Sequence, residues 1–286
     1  MTPPNPPDRA RPAALSGTAR QVRRLDYDRY LTLPFAPAEA REDLAALYAF
    51  NIEIAKTRET VSEALLGQIR LQWWRESIES AFAGTPRRHE IVRPLADAIR
   101  RHDLPRAHFD ALIDARERDL AAEPPPTLAT LEDYAFDTSS RLILLALAIC
   151  GVRGDAADRA AHHVGIAWAL VGLMRAARFH ALAKRQYVPQ DIMRAAGADT
   201  ASLFELKDTP ATRAAVARVA ERAREHLALG RPAIRALRPL PAPLRLAPLI
   251  ALYLRRMAGA DYGMLANPPQ VSQLRRQLAV LLGNRG

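Results

Sequence analysis

The stretch LYAFNIEIAKTRETVSE, residues 47–63, decides the fold because its apolar residues recur at helical spacing. Leu47, Phe50 and Ile54 are three and four positions apart, so they share one face of an α-helix. The same spacing recurs along most of the chain with many Ala, Leu, Arg and Glu residues, whereas alternating runs of Val, Ile and Thr are nearly absent. The sequence therefore predicts an all-α protein.

Turns rich in Gly and Pro divide this helical pattern into separate elements. They are AGTPRR at 83–88, EPPPT at 123–127 and the longer GRPAIRALRPLPAPLR at 230–245, which we interpret as an irregular crossing. The predicted helices lie at about 38–58, 61–83, 89–102, 105–121, 129–152, 155–184, 210–229, 242–260 and 268–283.

The domain organisation follows from the same pattern. Residues 25–286 are interpreted as a single domain of helices packed around a central cavity. Residues 1–24 are basic and rich in proline, which opposes helix formation, so we predict a disordered segment there.

Composition limits the classes of partner. The formal net charge of +10 favours anionic partners such as nucleic acid, an anionic membrane surface or phosphorylated small molecules. Nucleic acid is disfavoured, because the chain has no recognised binding motif and no basic–aromatic interleaving. The longest apolar run, 142–152, falls short of the ~20 residues that a transmembrane helix needs. The single cysteine, Cys150, excludes an internal disulfide and a cysteine-rich zinc site, and we expect a buried, unreactive thiol.

Four sequence blocks, in order, carry a resemblance to the squalene/phytoene synthase family. They are LPFAPAEAREDLAALYAF at 33–50, LQWWRESIESAFAGTP at 71–86, LIDARERDL at 112–120 and GIAWALVGLMRAARFHALAKRQYVPQD at 165–191. The resemblance implies the all-α isoprenoid-synthase fold. It also implies an ancestral activity, the head-to-head condensation of two prenyl diphosphates assisted by Mg²⁺.

The positions at which the family carries metal-binding carboxylates are altered in this chain. The family's two aspartate-rich motifs correspond here to Ala55, Lys56 and Glu59 on one helix and to Ala176, Phe179 and His180 on another. Only Glu59 is acidic, and Mg²⁺ requires oxygen ligands. Glu53 does not compensate, because a spacing of six does not align it with Glu59 on one helical face. We therefore expect no metal at these positions, no cofactor and no assigned catalytic residue; Mg²⁺ would be needed only if prenyl transfer persists.

The altered motif resembles a divergent branch of the same family, the assembly factors of respiratory complex I. The matching features are Ala-Phe-Asn-x-Glu at 49–53, the Ser-Glu pair at 62–63 and HALAKRQYVPQDI at 180–192. This resemblance implies a non-catalytic protein with a protein partner in complex I assembly. Two alternatives stay open: a working prenyl transferase, and a lipid or prenyl-phosphate binding protein without turnover.

Any surviving ligand site is expected at basic and aromatic positions. Lys56 and Arg178 replace or flank the lost acids and could bind a phosphate directly, or belong to a solvated face or an ion pair with Glu59. A purely structural role is the alternative for the five candidates named next. Asp119 is expected to be a packing and capping residue. The resemblance places around the substrate diphosphate Arg41, Tyr48, Arg175, Arg185 and Tyr187.

Two further expectations concern the rest of the chain. His162 and His163 are adjacent and lie on different helical faces, so we expect no shared metal between them. The Arg- and Ala-rich composition favours a bacterial cytoplasmic protein, with peripheral association at the inner membrane. The alternative location is the matrix face of the mitochondrial inner membrane. The expected partners, besides the assembly partner, are an anionic lipid or a prenyl diphosphate.

Overall fold

The structure, a computed structural model, describes residues 15–61, 63–121 and 123–283, and the regular elements in these ranges are helical. The all-α prediction is confirmed. In chain order the helices are α1 Gly17–Leu25, α2 Tyr27–Tyr30, α3 Arg41–Ala55, α4 Thr57–Thr60, α5 Ala64–Phe82, α6 Val92–His102, α7 Arg106–Glu117, α8 Leu128–Ala135, α9 Arg141–Ile149, α10 Asp155–Arg175, α11 Ala177–Leu182, α12 Gln190–Ala195, α13 Thr200–Phe204, α14 Pro210–Ala236, α15 Leu246–Gly259 and α16 Gln273–Leu282.

The N-terminal segment differs from the prediction. Helix α1 begins after Ser16, whose hydroxyl accepts a 3.1 Å hydrogen bond from the Ala19 N–H, and it buries Val22 completely. The prediction of disorder for residues 1–24 is therefore wrong from residue 17 onward, and residues 1–14 lie outside the described residues. The sequence did not predict this helix because it is rich in arginine and only a short apolar stripe packs against the rest of the protein.

Helix α14 also extends beyond its prediction. It continues through Gly230 and Pro232 to Ala236, so the predicted irregular crossing at 230–245 is wrong for its first half. A proline inside a helix removes one backbone hydrogen bond, and packing against α10 on a long apolar face offsets that loss.

Two apolar clusters form the core, and the space between them holds the cavities described below. One cluster is built mainly on α10, α14 and α15, the other on α3, α5, α6 and α7. Helix α9 joins them, because Leu142 and Leu145 pack in the second cluster while Ile143 and Leu147 pack in the first. Cys150 follows α9 half-buried, and burial raises the pKa of its thiol to about 12, so it is protonated at neutral pH.

A single turn of π-helix, Phe136–Ser140, connects α8 to α9 within the predicted helix 129–152. Helix α10 passes this turn so closely that a Cβ atom on Gly165 would lie 2.4 Å from the Ser140 Cα atom. π-Turns are frequent at functional sites, and this one directs Thr138 and Ser139 into the central cavity.

Helix length and hydropathy bear on membrane insertion. Among the described helices, none combines the length and the apolar character that crossing a bilayer requires.

Candidate functional site

A central cavity of about 420 Å³ lies between the two apolar clusters. Helices α3 and α10 form its main walls through residues spaced four apart, Asn51 and Ala55 on one and Trp168 and Gly172 on the other. The helices therefore position these walls directly, as the helical periodicity requires.

A second cavity of about 300 Å³ adjoins the first. Ala55 and Glu59 line both, so the two spaces meet at the C-terminal end of α3. Phe179 and His180 from α11 face them across the second cavity. The structure thus brings four of the six altered metal positions together, in agreement with the two-helix arrangement that the resemblance implied.

The other two altered positions behave differently. Lys56 lines the central cavity, whereas Ala176 lines none of the cavities found among the described residues. Phe179 keeps 52% of its surface exposed. The place where the two cavities meet, at Ala55, Glu59, Phe179 and His180, is called the mouth here. Ala55 and Phe179 are apolar at positions where the family motifs are acidic.

Lys56 is held by a partly buried ion-pair network and does not pair with Glu59. Its Nζ donates to Glu53 Oε1, which also accepts a 2.6 Å hydrogen bond from Gln21. Arg70 donates to the other oxygen of Glu53 at 2.6 Å. The network ties α1 and α5 to the end of α3 and gives Lys56 a carboxylate partner that it shares with Arg70. Of the alternatives considered for Lys56, an ion pair with Glu59 is therefore wrong.

Asp119 is the centre of a buried polar cluster that the sequence did not reveal. Its carboxylate accepts hydrogen bonds from the Tyr134 and Tyr187 hydroxyls, both 2.8 Å to Oδ1, and from Arg116 Nη1, 3.2 Å to Oδ2. Arg185 Nη2 donates to the Asp119 backbone carbonyl. Asp119 is buried, in agreement with the expected packing role, and its carboxylate in addition organises the wall of the second cavity.

Burial shifts the pKa values of two titratable groups at the mouth, Glu59 and His180, toward their neutral forms. Burial raises the pKa of Glu59, and the nearby Asp119 charge raises it further. Burial also lowers the pKa of His180 to about 4, so its imidazole is neutral at pH 7 and packs against the Tyr187 ring at 4.5 Å. The mouth is therefore not arranged to concentrate negative charge around a cation.

The donor set does not fit the Mg²⁺ ions that the fold family implies. The Glu59 side chain forms no hydrogen bond or ion pair with any residue that the structure describes, and it is the single carboxylate at the six positions. Asp119, the nearest acid, has both oxygens occupied by tyrosine and arginine donors. One free carboxylate cannot supply the near-octahedral oxygen shell of Mg²⁺.

Four of the sequence-predicted ligand positions lie away from both cavities. Arg41 donates to the backbone carbonyls of Pro34 and Ala36. Arg178 donates to the backbone carbonyls of Leu265 and Ala266. Each arginine therefore stabilises a loop. The hypothesis that Arg178 binds a phosphate at the old metal position is corrected by this geometry.

The other two displaced candidates are also structural. Tyr48 is buried in the core, with its ring 5.8 Å from the Arg29 guanidinium. Arg175 stacks 3.5 Å over the Tyr253 ring and lies 3.6 Å from Asp28 of α2. By contrast, Arg185 and Tyr187 line the second cavity, and their ligand role stays a prediction.

The central cavity has a polar lining that sequence reasoning missed. Buried atoms without hydrogen-bond partners among the described residues include Arg29 Nε, Asn51 Oδ1, Arg116 Nε and Ser139 Oγ, and all four residues line this cavity. Buried polar atoms normally have partners, so a wall with several unpartnered donors suits a polar ligand or ordered water. The signal was absent from the sequence because these residues are distant along the chain.

Comparison with known proteins agrees with this geometry. The family described as squalene/phytoene synthase matches residues 22–277. A curated relative, NADH dehydrogenase (ubiquinone) complex I assembly factor 6 from Bos taurus, is 32% identical over 87% of this chain and 76% of its own length. Presqualene diphosphate synthase from Rhodopseudomonas palustris is 26% identical over 76% of each protein.

Solved structures show the same fold. The crystal structure of squalene synthase HpnC from Alicyclobacillus acidocaldarius superposes with a TM-score of 0.77 at 23% identity, covering 86% of this chain and 93% of the other. At this identity the likeness concerns the fold alone, and it confirms the predicted isoprenoid-synthase architecture.

Proposed function

We propose, from the premise that this chain belongs to the squalene/phytoene synthase family, that it acts in the assembly of respiratory complex I without catalysing prenyl transfer. The observation that carries the proposal is the alignment with the bovine complex I assembly factor over most of the chain. The altered mouth of the cavity supports it, because a prenyl diphosphate ionises only when its leaving group is neutralised, and a metal commonly supplies that stabilisation.

The partner in this proposal is a protein of the complex I assembly pathway. The cavity needs no metal or other cofactor for this role, since its cationic groups Lys56 and Arg116 already have carboxylate partners. The fold then serves as a scaffold whose outer surface is recognised by the partner.

A basic groove supports an additional contact with anionic lipid. It has a volume of about 580 Å³ and is lined by four arginines, Arg231, Arg235, Arg238 and Arg255. The side chains of Arg231, Arg235 and Arg255 form no hydrogen bond or ion pair with any described residue. Leu282, an exposed leucine on α16, also lines this groove. Each arginine near an anionic bilayer contributes about 1 kcal/mol, so three of them would strengthen binding roughly 100-fold.

This contact would place the chain peripherally at the membrane where complex I is assembled. In a bacterium that is the cytoplasmic face of the inner membrane, and in a mitochondrion it is the matrix face. The proposal needs no membrane-spanning segment, because charge and exposed apolar side chains suffice for peripheral binding.

Deleting the gene is expected to lower the amount of assembled complex I, measured by native gel and NADH oxidation in isolated membranes. Returning the wild-type gene should restore assembly. A groove variant, Arg231→Gln, Arg235→Gln and Arg255→Gln, should restore less. The matched control removes three exposed arginines elsewhere, Arg100→Gln, Arg106→Gln and Arg159→Gln, and should restore fully.

These outcomes separate the two parts of the proposal. Normal complex I in the deletion strain would contradict the assembly role. Full restoration by the groove variant would contradict the lipid contact and leave the assembly role standing.

The central cavity favours one other candidate function, the binding of a prenyl or lipid phosphate without turnover. The unpartnered nitrogen atoms of Arg29 and Arg116 are the supporting observation, because arginine is suited to phosphate recognition. Native mass spectrometry of the freshly purified chain would show a bound phosphorylated lipid if this function holds, and the bare protein mass if it does not.

A further inference from the structure

Three histidines from two packed helices meet at a place outside the cavities. His162 and His163 belong to α10, and His226 belongs to α14. One ring nitrogen of each lies within 4.8 Å of those of the other two. None of the three lines any of the cavities described above.

The separation of the closest pair suits a shared ligand. His163 Nδ1 and His226 Nδ1 are 3.1 Å apart. Two nitrogens bound tetrahedrally to one zinc ion at 2.0–2.1 Å would be separated by about 3.3 Å. The pair therefore needs little movement to bind a common ion.

His162 joins this pair despite its adjacent position in the sequence. Its ring centroid is 4.8 Å from that of His163, with the ring planes nearly perpendicular at 89°. Its centroid is 6.1 Å from that of His226. The expectation of no shared metal considered His162 and His163 alone. It did not include His226, which approaches both from the facing helix.

A carboxylate orients the buried member of the cluster. His226 is only 3% exposed, and its Nε2 lies 3.5 Å from Glu132 Oε2 without hydrogen-bond geometry to any described residue. Arg222 donates to both oxygens of Glu132 and keeps it ionised. A carboxylate beside Nε2 favours the tautomer with the proton on Nε2, which leaves the Nδ1 lone pair directed at His163.

We propose that His162, His163 and His226 bind one divalent transition-metal ion of the zinc class, with Glu132 as the orienting carboxylate. Imidazole nitrogens suit Zn²⁺, Ni²⁺ and Cu²⁺ and are poor ligands for Mg²⁺. The three histidines leave a fourth position for water, and the ion would fasten α10 to α14. This proposal is independent of the assembly role.

The test is metal binding by the full chain, freed of any histidine tag and dialysed against a chelator. Titration with Co²⁺ should give the visible absorption of a four-coordinate site at one ion per chain, and Zn²⁺ should displace it. His162→Ala and His163→Ala should each lower the Zn²⁺ affinity at least tenfold. Glu132→Gln should lower it about tenfold, because a removed carboxylate partner typically costs 10–100-fold.

The matched control is His108→Ala, a half-buried histidine on α7 that belongs to no cluster. It should bind Zn²⁺ like the wild-type chain. His162 is not part of the apolar core, so His162→Ala should keep the fold, and circular dichroism should confirm this. Its loss of Zn²⁺ affinity would then not be due to misfolding. Failure of the wild-type chain to bind one ion, or unchanged affinity in both His162→Ala and His163→Ala, would overturn the proposal.

Discussion

Replacing Asp119 with alanine is expected to lower the free energy of unfolding by about 4 kcal/mol, because breaking a buried ion pair typically costs 3–5 kcal/mol. Asp119 is 7% exposed and accepts from Arg116, Tyr134 and Tyr187. Removing the carboxylate leaves the buried Arg116 guanidinium without its counter-charge and two buried hydroxyls without their acceptor. Urea unfolding followed by circular dichroism measures the loss.

The control for this prediction is Asp114→Ala on the same segment. Asp114 is largely exposed and forms a surface ion pair with Arg75. Such pairs contribute less than about 1 kcal/mol, so the control should unfold close to the wild-type midpoint. If Asp119→Ala also stays within about 1 kcal/mol of the wild-type protein, the buried cluster does not stabilise the fold in the way that its geometry indicates.

Replacing Gly165 with alanine is expected to destabilise the protein by about 3 kcal/mol, at the upper end of the usual cost of overpacking. The new methyl group would lie 2.3 Å from Ser140 Oγ and 2.5 Å from the Ser140 backbone nitrogen. The backbone of the π-turn cannot move aside without shifting α10 or the cavity wall. Thermal unfolding should show a fall in Tm of about 6 °C or more.

Gly172→Ala is the matched control on the same helix. Apart from the backbone of its own helix and its chain neighbours, no atom lies within 4 Å of the position that a Cβ atom would occupy there. Alanine is favoured over glycine in a helix by up to about 1 kcal/mol, so the control should be neutral or slightly stabilised. Equal stability of the Gly165→Ala protein and this control would contradict the close approach of α10 to the π-turn.

The long helices and the lost metal positions could be predicted because both depend on spacing within a short segment. Apolar residues three and four apart identify α3, α5, α10 and α14. The replacement of carboxylates near Ala55 and Phe179 is visible without any structure, and the two positions do face each other across the second cavity.

The remaining features depend on contacts between distant residues. Arg29 and Arg116 reach the central cavity from segments far apart in the chain, and no local pattern distinguishes them from the many other arginines. Asp119 looked like a helix-end residue, since its tyrosine partners lie 15 and 68 positions away. His226 likewise joins the histidine pair only through the packing of α14 on α10.

The retained fold is compatible with the altered positions at the mouth. The helices and their apolar faces are independent of the metal ligands, so the scaffold can persist after the carboxylates are replaced. In this chain the Glu53 network and the Asp119 cluster hold the ends of the helices that carry the altered motif positions with ion pairs and hydrogen bonds.

The proposed absence of prenyl transfer can be tested by incubating the purified chain with radiolabelled farnesyl or geranylgeranyl diphosphate and Mg²⁺ or Mn²⁺, beside an active presqualene diphosphate synthase. We expect the active enzyme to form a condensed prenyl product, and this chain to release no diphosphate and form no such product. A condensed product from this chain would contradict a non-catalytic role, because it would mean that the altered positions still ionise a prenyl diphosphate.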